Sequence, residues 1–394
     1  MKKTSHLILI ILSTFMLMGC NIFFIEQTTN ISSETETTMK EKYVPYCENT
    51  RVDGVYKCSK DFFAFDTNIS MNLYIENTDD IDLDHIFDGV GAIINDYDQL
   101  LDPYESFEGL TNIHTINQSD APVAINQELF DAIEFALNHQ DVDPASEGLL
   151  FNIALWPVLD IWHQAKYSEQ CTQGLLYDLC PIPSETTLSQ NFHTDPNDII
   201  LDEENLTISF AKANMGIDLG GFAKGYVSML IEEHLRSYDL NYILNLGASN
   251  VLVHGDNISN PNGDYYNIGL STPEYDTIFS SSYGAVQAKD GYSVVTSGSY
   301  QRYFKNSIDA TDETYYHHII DPRTNYPGGD ALAVSIITKD TGISDILSTA
   351  IFLMDFEDAL DYVNSTPDLE AIWYFSEDRI EMSNNFNESF IRLD

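Results

Sequence analysis

The sequence predicts an α+β fold in which mixed sheets and packed helices form a single intertwined unit over residues 43–394. Segments with alternating apolar residues, typical of strands, recur along the chain. Helical periodicity is confined to a few segments between them. No segment repeats with the period of a solenoid unit. A chain of this length can bury a large core, so we expect the strands and helices to share one.

Strands are predicted where apolar and polar residues alternate, or where a short apolar run is bounded by glycine. The clearest is residues 65–76, with an apolar residue at every second position from Ile69 to Ile75. Residues 242–255 predict two strands joined by a glycine-containing turn. The remaining predicted strands are residues 206–210, 266–270, 293–296 and 331–338.

Helices are predicted where apolar residues recur every three or four positions. In residues 81–100 the apolar stripe runs from Ile86 to Tyr97. The other predicted helices are residues 126–139, 226–235 and 345–364. Residues 147–162 are mostly apolar, and residues 171–194 are predicted to form an inserted loop closed by cysteines.

The N-terminal segment, residues 1–20, has the features of a secretory signal. Two lysines precede an apolar run, and the run ends in Leu17-Met18-Gly19-Cys20, which is typical of a lipobox. The alternative is a single transmembrane helix, but the apolar run is short for the ~20 residues that a span needs. Residues 21–42 are polar and aperiodic and predict a flexible tether. We therefore expect an extracytoplasmic protein that is held at the membrane by lipid on Cys20.

The charge balance excludes one large class of partners. The chain has 18 basic and 62 acidic residues, a formal net charge of −44, and no basic run. Nucleic-acid binding needs a basic face, so we expect none. The acidic excess is spread along the chain and predicts a solvated surface. A few cations lie near the motifs below, where an anionic ligand would need them: Lys212, Lys224, Arg302, Lys305 and Arg323.

Four of the five cysteines form two close pairs, Cys47 with Cys58 and Cys171 with Cys180. Outside the cytoplasm such local pairs indicate disulfides. Each would close a short loop and contribute on the order of 2–3 kcal/mol. A metal site is the weaker alternative, because the pairs lack CxxC spacing and no histidine pattern accompanies them.

The most informative segment is DLGGFAKG, from Asp218 to Gly225, which precedes a predicted helix. Two adjacent glycines let backbone N–H groups approach a ligand closely, and a helix N-terminus favours anions. Lys224 adds a full positive charge. The pattern suits a diphosphate. A tight turn with no ligand is the alternative.

A possible metal site follows from SDILSTA, residues 344–350. Asp345 and Thr349 are four residues apart, so on a helix they share one ridge and stand about 5.4 Å apart along the axis. A carboxylate and a hydroxyl are ligands that Mg²⁺ prefers, with phosphate and water supplying the rest. The alternative is a helix cap at Ser344 or Asp345, with Thr349 at the surface. In HIIDPRT, residues 318–324, His318 is either a functional imidazole or a packed core residue.

Together these motifs resemble one family. FDTNISMNLY, DLGGFAKG, NLGASN, TSGSYQRY, HIIDPRT and SDILSTA, in this order, look like those of ApbE-type FAD:protein FMN transferases. The resemblance implies an ApbE-like fold and a Mg²⁺-dependent phosphoryl transfer. FAD is split at its diphosphate, FMN passes to a Thr or Ser hydroxyl of an acceptor protein, and AMP leaves. The acceptor carries a segment of the type Asp-Gly-x-Ser/Thr-Gly-x-Thr.

The resemblance also implies roles for individual residues. Asp345, Thr349 and the backbone carbonyl of Gly221 would ligate Mg²⁺. His318 would be the catalytic base that takes the proton of the acceptor hydroxyl, as a neutral imidazole can near physiological pH. Lys224 would assist near the phosphates or the ribose of FAD. The implied FAD contacts are Phe65, Tyr104, Leu150, Phe151, Asn152, Asp218, Lys224 and Ile319.

The chain departs from the family pattern at several positions. Asn152, Ala154 and Trp156 stand where members often have Asp, Thr and Gly, and Ser348 replaces an acid that many members place near the metal. Two alternatives therefore remain open, an FAD pyrophosphatase that forms FMN and AMP in water and a non-enzymatic flavin-binding lipoprotein. Residues 290–296 have the spacing of an acceptor segment without its central glycine, and we expect them to be structural.

Overall fold

The computed structural model describes residues 46–77, 81–140, 149–190, 192–277 and 281–393. The predicted signal sequence, the tether and the lipidation of Cys20 lie outside these ranges. No helix in the described ranges is long and apolar enough to cross a membrane.

The described residues form strands and helices that alternate along the chain. The strands are β1 (Tyr46–Asn49), β2 (Tyr56–Ala64), β3 (Thr67–Ile75), β4 (Val123–Ala124), β5 (Asp178–Cys180), β6 (Ile199–Asp202), β7 (Thr207–Phe210), β8 (Asn241–Leu246), β9 (Asn250–His254), β10 (Tyr266–Ser271), β11 (Ser282–Ala288), β12 (Ser293–Gly298), β13 (Tyr303–Asn306), β14 (Tyr316–His317), β15 (Ile320–Asp321), β16 (Tyr326–Pro327), β17 (Ala333–Thr338), β18 (Leu369–Ser376), β19 (Arg379–Met382) and β20 (Phe390–Arg392). The helices are α1 (Leu83–Leu100), α2 (Ile113–Asn117), α3 (Gln127–Asn138), α4 (Trp156–Lys166), α5 (Glu185–Leu188), α6 (Ala223–Leu235), α7 (Ser344–Leu353) and α8 (Phe356–Ser365).

The central element is an antiparallel sheet in the order β1-β2-β3-β8-β9-β12-β17-β18-β19. Strand β3 follows the predicted alternation, since Ile69, Met71, Leu73 and Ile75 are all buried. Every residue of β17 is buried, so this strand is covered on both faces. The mixture of this sheet, smaller sheets and packed helices confirms the predicted α+β class.

Helices cover one face of the sheet. Apolar residues of α1 and α6 pack with β3, β8 and Leu252 of β9 in one buried cluster. Residues of α7 and α8 pack with β17 and β18 in another. A third cluster holds the small sheet of β10, β11 and β20 against Val253, Val294 and Ile337. This layering brings the N-termini of α6 and α7 together.

A small sheet in the order β14-β13-β5 lies beside HIIDPRT. Tyr303 of β13 pairs with His317 of β14, immediately before His318. On its other edge β13 pairs in parallel with β5, within the predicted inserted loop. The disulfide Cys171–Cys180 closes this loop, and Cys47–Cys58 joins β1 to β2. The structure thus pairs the cysteines as predicted.

Two predicted elements are wrong in detail. Residues 345–364 form two helices, because Met354 and Asp355 adopt extended backbone with ψ of 152° and 137°. The bend turns α8 so that Ala359 and Val363 reach the core. The strand predicted from Phe65 begins at Thr67, because Phe65 and Asp66 form the turn of a hairpin. The first strand of that hairpin, β2, was not predicted.

Candidate functional site

DLGGFAKG leads directly into α6. The N–H of Asp218 donates to the carbonyl of Ile153 at 2.8 Å, and the N–H of Gly220 donates to Oδ1 of Asp218 at 2.8 Å. Burial raises the pKa of Asp218 to about 6, assisted by the charge of Asp102 and opposed by the Gly220 bond. The Asp218 carboxylate therefore titrates in the mildly acidic range.

Asp345 joins the N-termini of α6 and α7. Its side chain is 7% exposed, Oδ2 accepts from the N–H of Gly225 at 2.8 Å, and Oδ1 accepts from Nδ2 of Asn250 at 3.1 Å. Nζ of Lys224 lies 4.0 Å from Oδ2. A Cβ at Gly225 would lie 2.9 Å from the carbonyl oxygen of Thr341, so the glycine permits this close approach. Two predicted site residues from distant segments, Lys224 and Asp345, are brought together here.

The donors near Asp345 fit a hard cation. Oδ1 of Asn250 is buried and lacks a hydrogen-bond partner among the described residues. Thr349 lies one turn further along α7 and is half-buried, whereas Gly221 is exposed just before α6. No cluster of three or more His, Cys, Asp or Glu suited to a metal occurs in the described ranges. A metal at this point would need ligands from the predicted oxygen set of Asp345, Thr349 and the Gly221 carbonyl, completed by phosphate and water, as Mg²⁺ allows.

Tyr104 lies in an aromatic group. Its ring stacks on His163 with centroids 3.5 Å apart and an interplanar angle of 16°, and Trp156 lies 5.2 Å away. Burial, with the charge of Asp218, raises the pKa of Tyr104. Trp156 also contacts the position of Gly216, where a side chain would clash with the indole. The bulk of Trp156 is therefore accommodated beside both Tyr104 and Gly216.

Leu150, Phe151 and Asn152 have different environments. Leu150 is buried with α7 in the core, as is Ile319. Phe151 belongs to a different buried cluster, and a Cβ at Gly221 would lie 3.2 Å from its ring. Asn152 donates from Nδ2 to the carbonyl of Thr194 at 2.8 Å. Its Oδ1 accepts from Ala154 N–H at 2.8 Å, which caps the 3₁₀ turn Ile153–Leu155. The Asn152 amide, which stands where family members often have an Asp carboxylate, thus has hydrogen-bond partners within the protein.

His318 follows directly after β14. Its side chain is exposed, yet the surrounding protein desolvates it, and with the charges of His317, Arg302 and Lys224 this lowers the pKa of His318 well below its usual range. The N–H of His318 donates to the carbonyl of Arg302 at 3.2 Å. Nη2 of Arg302 donates to the carbonyl of Phe65 at 3.4 Å. A neutral, accessible imidazole at pH 7 can accept a proton.

Two polar groups near the site were missed by sequence reasoning. Asn250 is the last residue of NLGASN, and no role was predicted for it from the sequence. Its place in that motif was the one signal that could have identified it. Ser297 of TSGSYQRY bonds Ser348 at 2.8 Å, and Ser348 donates to the carbonyl of Asp345 at 3.1 Å. Ser348, which departs from the family pattern, therefore ties α7 to β12.

The fold and the site define an α+β protein in which a buried carboxylate and a lysine meet at two helix N-termini, and in which the charge of that lysine also lowers the pKa of an exposed imidazole. The family model described as "ApbE family" matches residues 65–373. The chain belongs to the ApbE family. The resemblance drawn from the sequence motifs is therefore confirmed.

Two curated relatives carry the same name. The chain is 29% identical over 275 residues to the FAD:protein FMN transferase of Klebsiella pneumoniae, covering 69% of this chain and 77% of that protein. It is 27% identical over 277 residues to the FAD:protein FMN transferase of Treponema pallidum, covering 67% and 70%.

Solved structures share the fold. The ApbE protein of Thermotoga maritima superposes with a TM-score of 0.69 at 23% identity, covering 84% of this chain and 99% of that one. The flavin transferase ApbE of Vibrio cholerae superposes with a TM-score of 0.66 at 17% identity, covering 85% and 99%. At these identities the likeness is one of fold.

Proposed function

We propose that this protein is a Mg²⁺-dependent FAD:protein FMN transferase. The observation that carries the proposal is the convergence of Lys224 and Asp345, with Nζ 4.0 Å from Oδ2, at the N-termini of two helices. Helix N-termini and a lysine favour a diphosphate, and the adjacent oxygen donors suit the cation that accompanies it. Relatives at 29% and 27% identity are named for this reaction.

The proposed reaction exchanges one phosphorus–oxygen bond for another. A Thr or Ser hydroxyl of the acceptor protein attacks the phosphorus on the FMN side of FAD. The anhydride bond to the AMP phosphate breaks, and AMP leaves with the bonding electron pair. The product is FMN held to the acceptor through a phosphoester. When bound, Mg²⁺ would neutralise charge on the diphosphate.

We assign His318 as the base that accepts the proton of the acceptor hydroxyl. Its lowered pKa keeps the imidazole neutral at pH 7, so the ring nitrogen is free to accept. Arg302 and Lys224 contribute positive charge close to it. These cations would stabilise negative charge that develops during the transfer.

The remaining assignments concern FAD and the location of the protein. We assign FAD contacts to Tyr104, Asp218 and Phe65, which the structure leaves half-buried. Leu150 and Ile319 are buried in the core, so either side chain offers FAD little exposed surface. We further propose anchoring outside the cytoplasm through lipid on Cys20. The disulfides Cys47–Cys58 and Cys171–Cys180 support an oxidising compartment.

The test combines purified protein, FAD, MgCl₂ and a folded acceptor domain that carries the Asp-Gly-x-Ser/Thr-Gly-x-Thr segment. We expect covalent flavin on the acceptor, seen as fluorescence in a denaturing gel, with AMP released in equal amount. Chelation of the metal should stop both. AMP release that does not depend on the acceptor would favour the pyrophosphatase. Tight FAD binding with no AMP release under any condition would favour a flavin-binding lipoprotein.

A further inference from the structure

The hairpin between β2 and β3 contains an unfavourable turn. Ala64 pairs with Thr67, so Phe65 and Asp66 are its two central residues. Both have positive φ, 52° and 56°, as in a type I′ turn. Asn, Asp and Gly are preferred in such turns, so Asp66 is ordinary, but a bulky aromatic residue at positive φ is rare. Some other contact must hold Phe65 in this conformation.

Two charged side chains form hydrogen bonds with the backbone of Phe65, one with its N–H and one with its carbonyl. Oδ1 of Asp98, in the last turns of α1, accepts from the N–H of Phe65 at 2.6 Å. Nη2 of Arg302 donates to the carbonyl of Phe65 at 3.4 Å. Both groups on Phe65 are therefore fixed by side chains that are distant in sequence.

The arrangement extends to the candidate base. The carbonyl of Arg302 accepts from the N–H of His318 at 3.2 Å. A chain of three hydrogen bonds thus runs from Asp98 through Phe65 and Arg302 to His318. Phe65 itself is half-buried and packs against two apolar clusters, to both of which α1 and α6 contribute.

We propose that Asp98 is a positioning residue that holds the Phe65 turn in its left-handed conformation and so presents Phe65 to the flavin substrate. This role rests on the proposed function, because it needs FAD as the ligand. Asp98 acts through Phe65 and does not itself touch FAD. A carboxylate suits the task because a charged acceptor strengthens the bond to an N–H group that the hairpin leaves without a ladder partner.

The test is a series of variants compared for FAD affinity and for kinetics. Asp98→Ala should weaken FAD binding and raise the KM for FAD about tenfold, with a smaller change in kcat, because a charge-assisted hydrogen bond is lost. Asp98→Asn keeps an oxygen acceptor and should stay within about threefold of the parent. Asp96→Ala, an exposed carboxylate on the same helix, is the matched control and should match the parent.

A rescue variant separates positioning from general stability. Glycine is preferred over aspartate at the second central position of a type I′ turn, so Asp66→Gly in the Asp98→Ala background should stabilise the turn and bring FAD affinity to within about threefold of the parent. Hydrogen exchange of the Phe65 amide gives a readout without ligand. It should be slow in the parent and in Asp98→Asn and at least about tenfold faster in Asp98→Ala, since the amide loses its acceptor.

Each outcome bears on the role of Asp98. Unchanged exchange at Phe65, unchanged FAD affinity in Asp98→Ala, or failure of the glycine rescue overturns it. A parallel fall of kcat and melting temperature without a KM effect overturns it as well, because that pattern describes a structural residue. A parent that binds FAD without transferring FMN overturns only the proposed function. A parent that binds no FAD overturns both.

Discussion

At the residue scale, Asp345 has two tasks. Its carboxylate accepts hydrogen bonds from Gly225 and Asn250, and in the proposed function it also ligates Mg²⁺. Two hydrogen-bond donors and a nearby lysine hold this buried carboxylate in one orientation. A fixed orientation suits a side chain that coordinates a small cation. The structural and chemical tasks can be separated by substitution.

Asp345→Ala should lower Mg²⁺-dependent FAD turnover by about 10²-fold or more, because a charged ligand is lost. It should also cost about 1–3 kcal/mol of stability, since two buried donors lose their acceptor. Asp345→Asn keeps an acceptor and should recover stability more than turnover. Turnover is measured over a MgCl₂ titration and stability by urea unfolding. Exposed Asp340→Ala is the control, and a full parental rate in Asp345→Ala would contradict the metal assignment.

His318→Ala should slow FMN transfer to the acceptor by about 10²–10⁴-fold, because a general base is removed. FAD affinity should change far less, since the imidazole acts on the acceptor hydroxyl. Flavin fluorescence titration gives the affinity, and single-turnover gels give the transfer rate. The exposed His193→Ala variant is the control. Equal losses of affinity and rate would indicate a structural histidine.

The neighbouring His317 predicts a pH dependence of stability. Burial lowers its pKa to about 4, opposed by its bond to Gly328. The unfolded chain, with a histidine pKa near 6.5, binds more protons below that pH, so this contribution to stability is full above about pH 6.5 and is lost as the pH falls toward 4. We expect the parent to lose roughly 2 kcal/mol relative to His317→Gln between pH 7.5 and pH 5. Urea unfolding of both proteins measures the difference, and a pH-independent difference would contradict it.

At the element scale, the close contact between α6 and α7 depends on Gly225. A methyl group there would meet the Thr341 carbonyl at 2.9 Å and Oγ of Ser344 at 3.0 Å. Ser344 is the first residue of α7, and its Oγ donates to the Thr341 carbonyl at 2.7 Å, so neither group can move independently of the helix that carries Asp345. The approach of two helices is therefore set by one missing side chain.

Gly225→Ala should destabilise the protein by about 1–3 kcal/mol, the usual cost of overpacking. It should also reduce FAD turnover, because the shift of α7 moves Asp345 away from Lys224. Gly269→Ala on β10 is the control, since its Cβ would meet only the Ser282 hydroxyl at 3.3 Å. Unfolding curves and FAD cleavage rates report the two effects. Stability and turnover that both match the parent would show that the helices can part without consequence.

Individual elements show what sequence could and could not predict. The alternation in Ile69–Ile75 and the stripe of α1 were visible because one face of each is buried. The break at Met354–Asp355 was not, because apolar periodicity continues across it and tertiary packing sets the bend. Likewise Phe65 looked like part of a strand, since no residue preference signals an aromatic residue in a type I′ turn. The motif residues were found by pattern, whereas Asn250 and Asp98 required three-dimensional contacts.

At the scale of the whole molecule, periodicity predicted the class but not the strand order. Strand β3 pairs with β8, which is separated from it along the chain by the helices α1 to α6 and the strands β4 to β7. Alternation specifies which face of a strand is buried, but not which distant strand is its neighbour. The order of the motifs carried more information than the elements did, because it led to the family and hence to the fold.

The formal net charge of −44 predicts a response to salt. Repulsion among surface carboxylates opposes the compact state, and ions screen it with a Debye length that falls from about 30 Å at 0.01 M to 3 Å at 1 M. We expect the melting temperature to rise with NaCl and to level off near molar concentration. Differential scanning fluorimetry in NaCl and KCl measures this, with the neutral osmolyte sucrose as a comparison. A melting temperature that falls as salt is added would contradict self-repulsion.

The Cys47–Cys58 bond has a mechanical consequence. Strand β1 lies at the edge of the large sheet and would be the first to feel tension from a chain tethered at Cys20, as we propose. Without a covalent link, such a pull could peel β1 from β2 one hydrogen bond at a time. The disulfide transmits the load to β2, which pairs along its full length with β3. Under the proposed anchoring, traction at the membrane would pass through the disulfide into β2 and, by its pairing, into β3, and would not strip β1 from the edge.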